Sequence, residues 1–399
     1  MRENRKAGCR ALPTKITGGF AILLVSCLSH AAGTAVPPAR NLERDLIRRS
    51  GRPLNYETPV QDLRALHTPA RKLFVRSHLP NTAENEPSRW QIALEGEGFE
   101  KPMVLSLESL RRDFKAVEVP AVLMCAGNRR SEFQPRVPGV QWGRGAIGNG
   151  VWKGVRLRDV LEKAGVRSST VEVEFNGADF PALPATPDFI KSIPLSKALD
   201  PSTLLAFEYN GEPLPRENGH PVRLVVPGWV ASYWVKQVVS IRALSRPSDN
   251  FWMQKAYRID KGRFPEVEKG FASQETATSA PITEMVVHSM ITNLQDGMKV
   301  KPGRELRIEG FAWDGGRGIT KVEVSIDGGR SWVDARLGAQ PGNFSWRPFS
   351  HAFRPERGHS YPLMARATNS SGQVQPPTPV HNGAGYHNNA TTPITVEAR

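Results

Sequence analysis

The sequence predicts an α+β domain followed by an all-β sandwich of the immunoglobulin type. In the first two thirds of the chain, segments with helical spacing lie among alternating, strand-like segments, without the regular strand–helix order of a parallel α/β fold. From about residue 280, short strands follow one another with turn signals between them. The chain has 399 residues, 39% hydrophobic and 23% charged, which is enough for two domains with their own cores.

The first domain, expected over residues 40–275, mixes short helices and strands. Apolar residues recur at helical spacing in SLESLRRDF (106–114) and VRLRDVLEKAGV (155–166), and NLERDLIRRS (41–50) predicts a short surface helix. The glycine-rich stretch GRGAIGNGVWKG (143–154) is interpreted as a shaped loop. Strands are expected in six apolar or alternating segments: 73–79, 90–96, 170–177, 204–211, 221–228 and 234–244.

The second domain, expected over residues 280–399, consists of strands. Asp327-Gly328-Gly329 predicts a hairpin turn between two alternating runs. The stretch EVEKGFASQETATSA (266–280) is interpreted as the linker between the domains. The main strand-like segments are 285–291, 305–313, 319–337 and 361–369.

The first residues predict an export signal over 1–31 and therefore a periplasmic protein. A basic lead precedes GGFAILLVSCLSHAA, an apolar stretch that ends in small residues and is too short for a membrane span. Cys27, at the end of LVSC, also fits a lipoprotein cleavage box, so lipid anchoring is an alternative. The leader contains no pair of adjacent arginines, the mark of the export route for folded proteins, which leaves the route open.

The chain is basic, with a formal net charge of +14. Five basic residues and one glutamate within residues 1–31 account for +4 of this, so the processed chain carries about +10. An exported protein rarely meets nucleic acid, so we expect an anionic substrate or an acidic protein partner instead.

Cleavage of the signal leaves one cysteine. Cys9 and Cys27 lie in the signal, and Cys125 remains without a partner for an internal disulfide. A lone cysteine is most often an inert, buried small residue. The alternatives are a ligand or a nucleophile.

The segment VLMCAGNRRSEF (122–133) bears on whether Cys125 is a ligand or a nucleophile. Cys125 ends an apolar run, where a strand emerges into a loop, and the charges of Arg129 and Arg130 favour the thiolate. This setting indicates a ligand for a soft metal more than a protease nucleophile. A buried cysteine beside two surface arginines remains the other interpretation.

Three other segments add positive charge beside small residues. Arg76 and His78 are two residues apart and so share one side of a strand. His220 and Arg223 surround a turn that enters a buried strand, and Lys236 follows a bend of small residues. Each alone is compatible with an ordinary surface position. Together they indicate the binding site of a large anionic cofactor.

Five segments, in order, resemble the sulfite oxidase family of molybdenum enzymes, and within it the bacterial sulfite dehydrogenases that use cytochrome c. The resemblance runs from about residue 72 to the C-terminus. It implies a molybdopterin-binding catalytic domain of the sulfite oxidase type (40–275) and an immunoglobulin-like dimerisation domain (280–399). The segments are CAGNRRSEF, GAIGNGVWKGVRLRDVL, GEPLPRENGHPVRLVVPG, YWVKQV and WMQKAYRI.

The resemblance implies roles for individual residues. Cys125 matches the cysteine whose thiolate binds molybdenum, and Tyr257 matches the tyrosine at the equatorial oxo ligand. His78 matches a histidine near the metal and the pterin. The remaining matches are Arg76, Arg130 and Trp142 in the anion pocket, and His220, Arg223, Ser232 and Lys236 around the pterin and its phosphate.

The chain also departs from the family pattern at three places. Ala256 stands where the vertebrate enzymes have an aspartate. Asn218 stands where they have a histidine, with His220 two places later, so either residue is a candidate for the pterin contact. The stretch HNGAGYHNN (381–389) offers no counterpart of an additional pocket arginine.

The resemblance implies oxidation of sulfite to sulfate, with electrons passed to a separate c-type cytochrome. One molybdenum–molybdopterin per chain, no haem in this chain, a homodimer and no nucleic acid partner are expected with it. A same-fold enzyme that oxidises carrier-bound sulfur, or reduces nitrate or a sulfoxide, is the alternative, and two pocket arginines favour a small oxyanion. An exported, non-catalytic anion-binding or adhesion protein with a free Cys125 thiol is a third possibility.

Overall fold

A computed structural model describes residues 36–82, 86–268 and 270–399. The predicted signal peptide (1–31), with Cys9 and Cys27, lies outside the described residues and stays a prediction. Within the described part of the chain, no helix is long and apolar enough to cross a membrane.

Helices are short throughout the described chain. The α-helices are α1 (Leu42–Asp45), α2 (Leu107–Asp113), α3 (Leu157–Lys163), α4 (Leu195–Ala198) and α5 (Phe251–Gln254). The 3-10 turns are Val60–Leu63, Ala70–Lys72, Pro87–Arg89, Arg130–Glu132, Arg216–Asn218, Ala231–Tyr233 and Ala272–Gln274.

Most of the regular secondary structure consists of strands. Those of the N-terminal domain and its exit are β1 (Ile47–Gly51), β2 (Leu54–Glu57), β3 (Val75–Arg76), β4 (Asn81–Thr82), β5 (Gln91–Glu95), β6 (Met103–Ser106), β7 (Ala116–Met124), β8 (Ile147–Arg156), β9 (Glu172–Gly177), β10 (Asp179–Phe180), β11 (Ile190–Pro194), β12 (Leu204–Tyr209), β13 (Glu212–Pro213), β14 (Arg223–Val225), β15 (Val238–Leu244), β16 (Arg258–Asp260) and β17 (Ser279–Pro281). Those of the C-terminal domain are β18 (His288–Ile291), β19 (Met298–Val300), β20 (Leu306–Trp313), β21 (Ile319–Ser325), β22 (Val333–Asp334), β23 (Arg336–Leu337), β24 (Arg347–Phe353), β25 (Ser360–Asn369) and β26 (Ile394–Ala398).

Two five-stranded sheets, one mixed and one antiparallel, form most of the N-terminal domain. One has the order β11-β9-β15-β5-β6, in which only β15 and β5 run parallel, and the other has the order β13-β12-β8-β7 with β14 also on β12. The helices interrupt these strands without regular alternation, which confirms the predicted α+β class.

The hairpin of β7 and β8 positions the functional loop. The strands pair from Ala116↔Val155 to Met124↔Ile147, and the last four residues of β7 are buried. The long connection 125–146 therefore begins directly at the buried end of a strand. Cys125 is its first residue.

The interpretation of 143–154 as a loop is wrong, because most of it is strand β8. Its glycines do not mark turns. They leave space for neighbours: a Cβ at Gly150 would lie 2.3 Å from the Tyr209 ring, and one at Gly154 would lie 2.2 Å from the Leu205 carbonyl oxygen. Glycine in a strand interior often marks such a close approach.

Three further predictions need correction. Of the helix expected at 41–50, the structure contains only α1, because Ile47–Gly51 forms a strand that pairs with β2. The expected strand at 73–79 is only Val75–Arg76. The linker 266–280 is folded structure: Phe271 and Gln274 are buried, and β17 at its end pairs with β16.

The C-terminal domain is a two-sheet sandwich, as predicted. Its sheets have the orders β18-β20-β24-β23 and β19-β26-β25-β21-β22. Inward residues from both sheets, such as Ile308 and Val396, share one core. The hairpin turn at Asp327-Gly328-Gly329 is present, with both glycines in the left-handed region (φ 76° and 89°) between β21 and β22.

We expect Gly150→Ala to destabilise the N-terminal domain. The added methyl group would displace Tyr209, whose hydroxyl bonds to the Thr68 carbonyl (2.9 Å), and overpacking of this kind costs about 1–3 kcal/mol. Chemical denaturation measures the change. Gly342→Ala is the matched control, because its Cβ would make only ordinary contacts of 3.7–4.0 Å. Equal stability of the two variants would contradict the close approach at Gly150.

Candidate active site

Cys125 is a buried free thiol at the end of β7. Its backbone N–H donates to the Ala146 carbonyl (2.9 Å), and the Asn128 N–H donates to the Cys125 carbonyl (2.9 Å), which closes a tight turn. The Asn128 side-chain oxygen accepts from the Ala146 N–H (3.0 Å) and fixes the turn against the start of β8. The thiol is therefore held by backbone on both sides.

A cleft opens at Cys125. Chain segments far apart in sequence contribute its walls. Of the residues predicted for the site, the structure brings seven to this cleft: Arg76, His78, Cys125, Arg223, Ser232, Lys236 and Tyr257. We call this cleft the Cys125 cavity.

Tyr257 and His78 form a close pair in this cavity. The Tyr257 hydroxyl is hydrogen-bonded to His78 Nε2. His78 stacks on Phe189 with ring centroids 3.6 Å apart. Burial raises the pKa of Tyr257, and burial together with the charge of Arg76 lowers the pKa of His78 well below its usual value. Phenol and imidazole are therefore both neutral at pH 7.

Buried positive charge surrounds the pair. The ammonium group of Lys236 donates to Ser77 Oγ (2.9 Å) and the Glu217 carbonyl (3.1 Å), and burial lowers its pKa to about 8. Burial lowers the pKa of Arg223 to about 9. Asp179 is the one carboxylate among the described lining residues, and burial raises its pKa to about 6. The cavity thus has an excess of cations over anions.

Asn218 lies at the centre of a hydrogen-bond network that supports these cations. Its carbonyl accepts from Arg223 (2.9 Å), and its side chain donates to the Phe74 carbonyl (2.8 Å). Arg40, buried behind the cavity, donates to the Asn218 side-chain oxygen (2.8 Å) and pairs with Glu217 (3.0 Å). Arg40 had no signal in the sequence, because its partners lie about 180 residues away.

Three predicted site residues do not line the cavity. Trp142 is buried behind Phe74, edge to face at 6.3 Å. Arg130 points to the C-terminal domain, where it donates to the Ala384 carbonyl (3.0 Å), and it also donates to the Val140 carbonyl (3.0 Å). His220 is buried outside the lining, without a partner for either ring nitrogen, whereas Asn218 lines the cavity.

The C-terminal domain supplies a residue that the sequence did not reveal. Tyr386 stacks on Tyr257 with ring centroids 5.5 Å apart, and the Arg130 guanidinium lies 5.3 Å from the Tyr386 ring centroid. The His387 N–H donates to the Ala126 carbonyl (3.1 Å), next to Cys125. Tyr386 lies in 381–389, the stretch in which the family pattern has an additional arginine. The sequence signal for Tyr386 is therefore an aromatic residue in that stretch.

Lys191 is a further buried cation near the pair. Its ammonium donates to the Trp252 carbonyl (2.8 Å) and lies 4.5 Å from the ring centroid of Tyr233 and 5.3 Å from that of Tyr257. Burial lowers the pKa of Lys191 to about 7. No sequence motif marked this residue, because it lies in an ordinary alternating strand.

The residues present fit an anionic pterin cofactor. Arg223 Nε and Ser232 Oγ are buried and have no hydrogen-bond partner among the described residues. Unpartnered buried donors require an acceptor, and three cations around one carboxylate require negative charge. A phosphorylated pterin supplies both, and the Cys125 thiol is a soft ligand suited to its metal.

Two family models match the chain. Residues 78–252 match the oxidoreductase molybdopterin binding domain, and residues 279–398 match the Mo-co oxidoreductase dimerisation domain. The first match lies within the N-terminal domain, and the second spans the sandwich.

Curated relatives and a solved structure agree with these matches. The chain is 39% identical over 340 residues to sulfite oxidase of Gallus gallus, covering 82% of this chain and 72% of the relative. It is 37% identical to the mitochondrial sulfite oxidase of Rattus norvegicus, of whose length it spans 65%, with 87% of this chain covered. The sulfane dehydrogenase SoxCD of Paracoccus pantotrophus has a TM-score of 0.75 and 28% identity, with 93% of each chain covered.

The buried Lys191 should make stability depend on pH. Its pKa is about 7 in the folded chain and 10.5 in water, so the unfolded chain binds more protons between these values, and stability rises with pH across this window. We expect Lys191→Met to be more stable than wild type by up to about 5 kcal/mol below pH 7. The difference should shrink toward pH 10.5.

Denaturant titrations at several pH values measure this difference. Lys101→Met is the control, because Lys101 is exposed. A pH-independent difference for Lys191→Met, like that of the control, would contradict a charged, desolvated Lys191.

Proposed function

The chain belongs to the sulfite oxidase family of molybdenum oxidoreductases, and we propose that it oxidises sulfite to sulfate. The observation that carries the proposal is the Cys125 cavity, where one buried thiol, a neutral Tyr257–His78 pair and unpaired cations meet. This donor set suits a small oxyanion more than an uncharged substrate, because the low dielectric of the cavity strengthens the attraction of Arg76 for a dianion.

The molybdenum–molybdopterin cofactor would supply the two-electron redox couple and the oxygen transfer, which no side chain of the chain provides. Cys125 would hold the metal, and Arg223, Ser232 and Lys236 would hold the pterin and its phosphate. Asn218, rather than His220, would contact the pterin, because it lines the cavity and its carbonyl accepts a hydrogen bond from Arg223.

The overall reaction is sulfite plus water to sulfate, two protons and two electrons. Arg76 would bind the dianion and orient its sulfur, because its guanidinium lines the cavity and is anchored to Asn55 (3.2 Å) on the neighbouring strand. Tyr257 and His78 would carry away a proton released from the water that the reaction consumes: both are neutral, and their hydrogen bond provides a transfer path. Tyr386 stacks on Tyr257 and would fix its orientation.

The electrons would pass one at a time to a separate c-type cytochrome. The sandwich, which matches the dimerisation domain, would join two chains into a homodimer. Export to the periplasm, where c-type cytochromes occur, rests on the signal pattern of residues 1–31. These partners and this location are part of the proposal.

Oxidation of carrier-bound sulfur is the second candidate. The structural similarity to sulfane dehydrogenase SoxCD favours this candidate. Tyr386 favours it too, because it is an aromatic residue in the stretch where the family pattern has a further pocket arginine. Parallel assays with sulfite and with a persulfide-carrying protein, both with ferricyanide as acceptor, separate the two. Turnover of the persulfide alone would replace sulfite as the proposed substrate.

We expect Cys125→Ser to abolish sulfite-dependent ferricyanide reduction while the fold remains. The hydroxyl is a poor ligand for a soft metal, and the turn around Cys125 depends on backbone hydrogen bonds that serine retains. Elemental analysis and thiol titration accompany the assay: wild type should contain one molybdenum per chain and no titratable thiol. A metal-free protein with a reactive thiol would instead support the non-catalytic anion-binding interpretation.

We expect Arg76→Gln to raise KM for sulfite about 10- to 100-fold, because one charge-assisted hydrogen bond to the dianion is worth about 1.5–3 kcal/mol. Steady-state kinetics on fully loaded enzyme measures this value. Arg112→Gln is the control, because Arg112 is exposed and pairs only with surface carboxylates. An unchanged KM in Arg76→Gln would show that the substrate is not bound by this arginine.

A further inference from the structure

A second cavity, which we call the junction cavity, lies between the Cys125 loop and the sandwich. Asn128, Arg129 and Arg144 line it from the N-terminal domain, and His288 on β18 and Trp313 on β20 line it from the C-terminal domain. No role in the proposed reaction accounts for it.

Two buried ring nitrogens in this cavity have no partner. His288 and Trp313 are each 2% exposed, and neither His288 Nε2 nor Trp313 Nε1 has a hydrogen-bond partner among the described residues. Their rings stack in parallel, 5.1 Å apart with 7° between the planes. The indole N–H can only donate, so the cavity lacks an acceptor that this residue requires.

The junction cavity also carries excess positive charge. Arg129 and Arg144 share one carboxylate, Glu132, through contacts of 2.6 and 2.7 Å. None of the described lining residues is an aspartate or glutamate. Arg144 reaches Glu132 through Nε, and its two terminal nitrogens make no hydrogen bond to the described residues.

From these donors and this charge, we propose that the junction cavity binds a small tetrahedral oxyanion such as sulfate, held by the Arg144 guanidinium, Trp313 Nε1 and His288 Nε2. Water alone would satisfy the donors but would leave the excess charge uncompensated. The described lining residues include no carboxylate to attract a metal cation, and the apolar side chains of Met290, Ile291 and Ile394 favour a small anion over a large one.

Such an ion would join the two domains at the turn that carries the thiol. Arg129 follows Cys125 by four residues, and its guanidinium also reaches the Ala390 carbonyl (2.6 Å) of the sandwich. A ligand that binds only the folded chain raises its stability in proportion to the logarithm of ligand concentration. The inference does not depend on the reaction at Cys125, so it can fail or succeed separately from the proposed function.

Thermal unfolding of the holoenzyme at increasing sulfate, with chloride at equal ionic strength as reference, tests the site. We expect the Tm of wild type and of Arg76→Gln, in which the Cys125 cavity has lost its substrate cation, to rise with the logarithm of sulfate concentration once that concentration exceeds the Kd. In Trp313→Phe and in Arg144→Gln the apparent Kd for sulfate should weaken about tenfold, the loss of one charge-assisted hydrogen bond. Their KM for sulfite should not change.

Each other outcome overturns the proposal. A rise that disappears in Arg76→Gln but persists in Trp313→Phe would place sulfate in the Cys125 cavity alone. An equal rise in all four proteins, linear in sulfate concentration, would be a general salt effect. Arg144→Gln alters a partly exposed side chain, so it keeps the test valid if Trp313→Phe fails to fold. Crystals grown with selenate provide a direct readout: anomalous density beside Trp313 Nε1 is expected, and density at Cys125 alone contradicts the site.

Discussion

Unpaired positive charge buried at the end of β7 is the constraint on which the site depends. Arg76, Arg223 and Lys236 line one cavity with a single carboxylate, Asp179, among the described lining residues. Burial without compensation is unfavourable for the charged forms, which is why the pKa of Lys236 falls to about 8 and that of Arg223 to about 9. An anionic cofactor would remove this penalty, so its binding and the stability of the domain are linked.

The rest of the fold holds these cations in place. The Arg223 guanidinium is fixed by the Asn218 carbonyl, and Asn218 is fixed in turn by Arg40 and by the Phe74 carbonyl. The sandwich contributes as well, because Tyr386 stacks on Tyr257. The C-terminal domain is therefore part of the candidate site and not only a module for association.

The sequence could predict what depends on local pattern. The end of an apolar run placed Cys125 at the end of a strand, and alternation located most strands. The misses have tertiary causes. Glycines in β8 looked like a loop because the Tyr209 ring that needs the space at Gly150 lies about 60 residues away. The hydrogen bond from Arg130 to the Ala384 carbonyl, about 250 residues away, likewise has no local pattern, and the role of Arg130 at the substrate stays a prediction.

Arg129 and Arg130, the two arginines after Cys125, contact different parts of the protein, and the backbone conformation explains why. Arg129 adopts a left-handed conformation (φ 65°), which is uncommon for a residue with a side chain, and the turn separates its side chain from that of Arg130. Arg130 then faces Tyr386 and the edge of the Cys125 cavity, whereas Arg129 lines the junction cavity. One turn of a few residues contacts both cavities. A displacement of Arg129 therefore also displaces the backbone that holds the thiol.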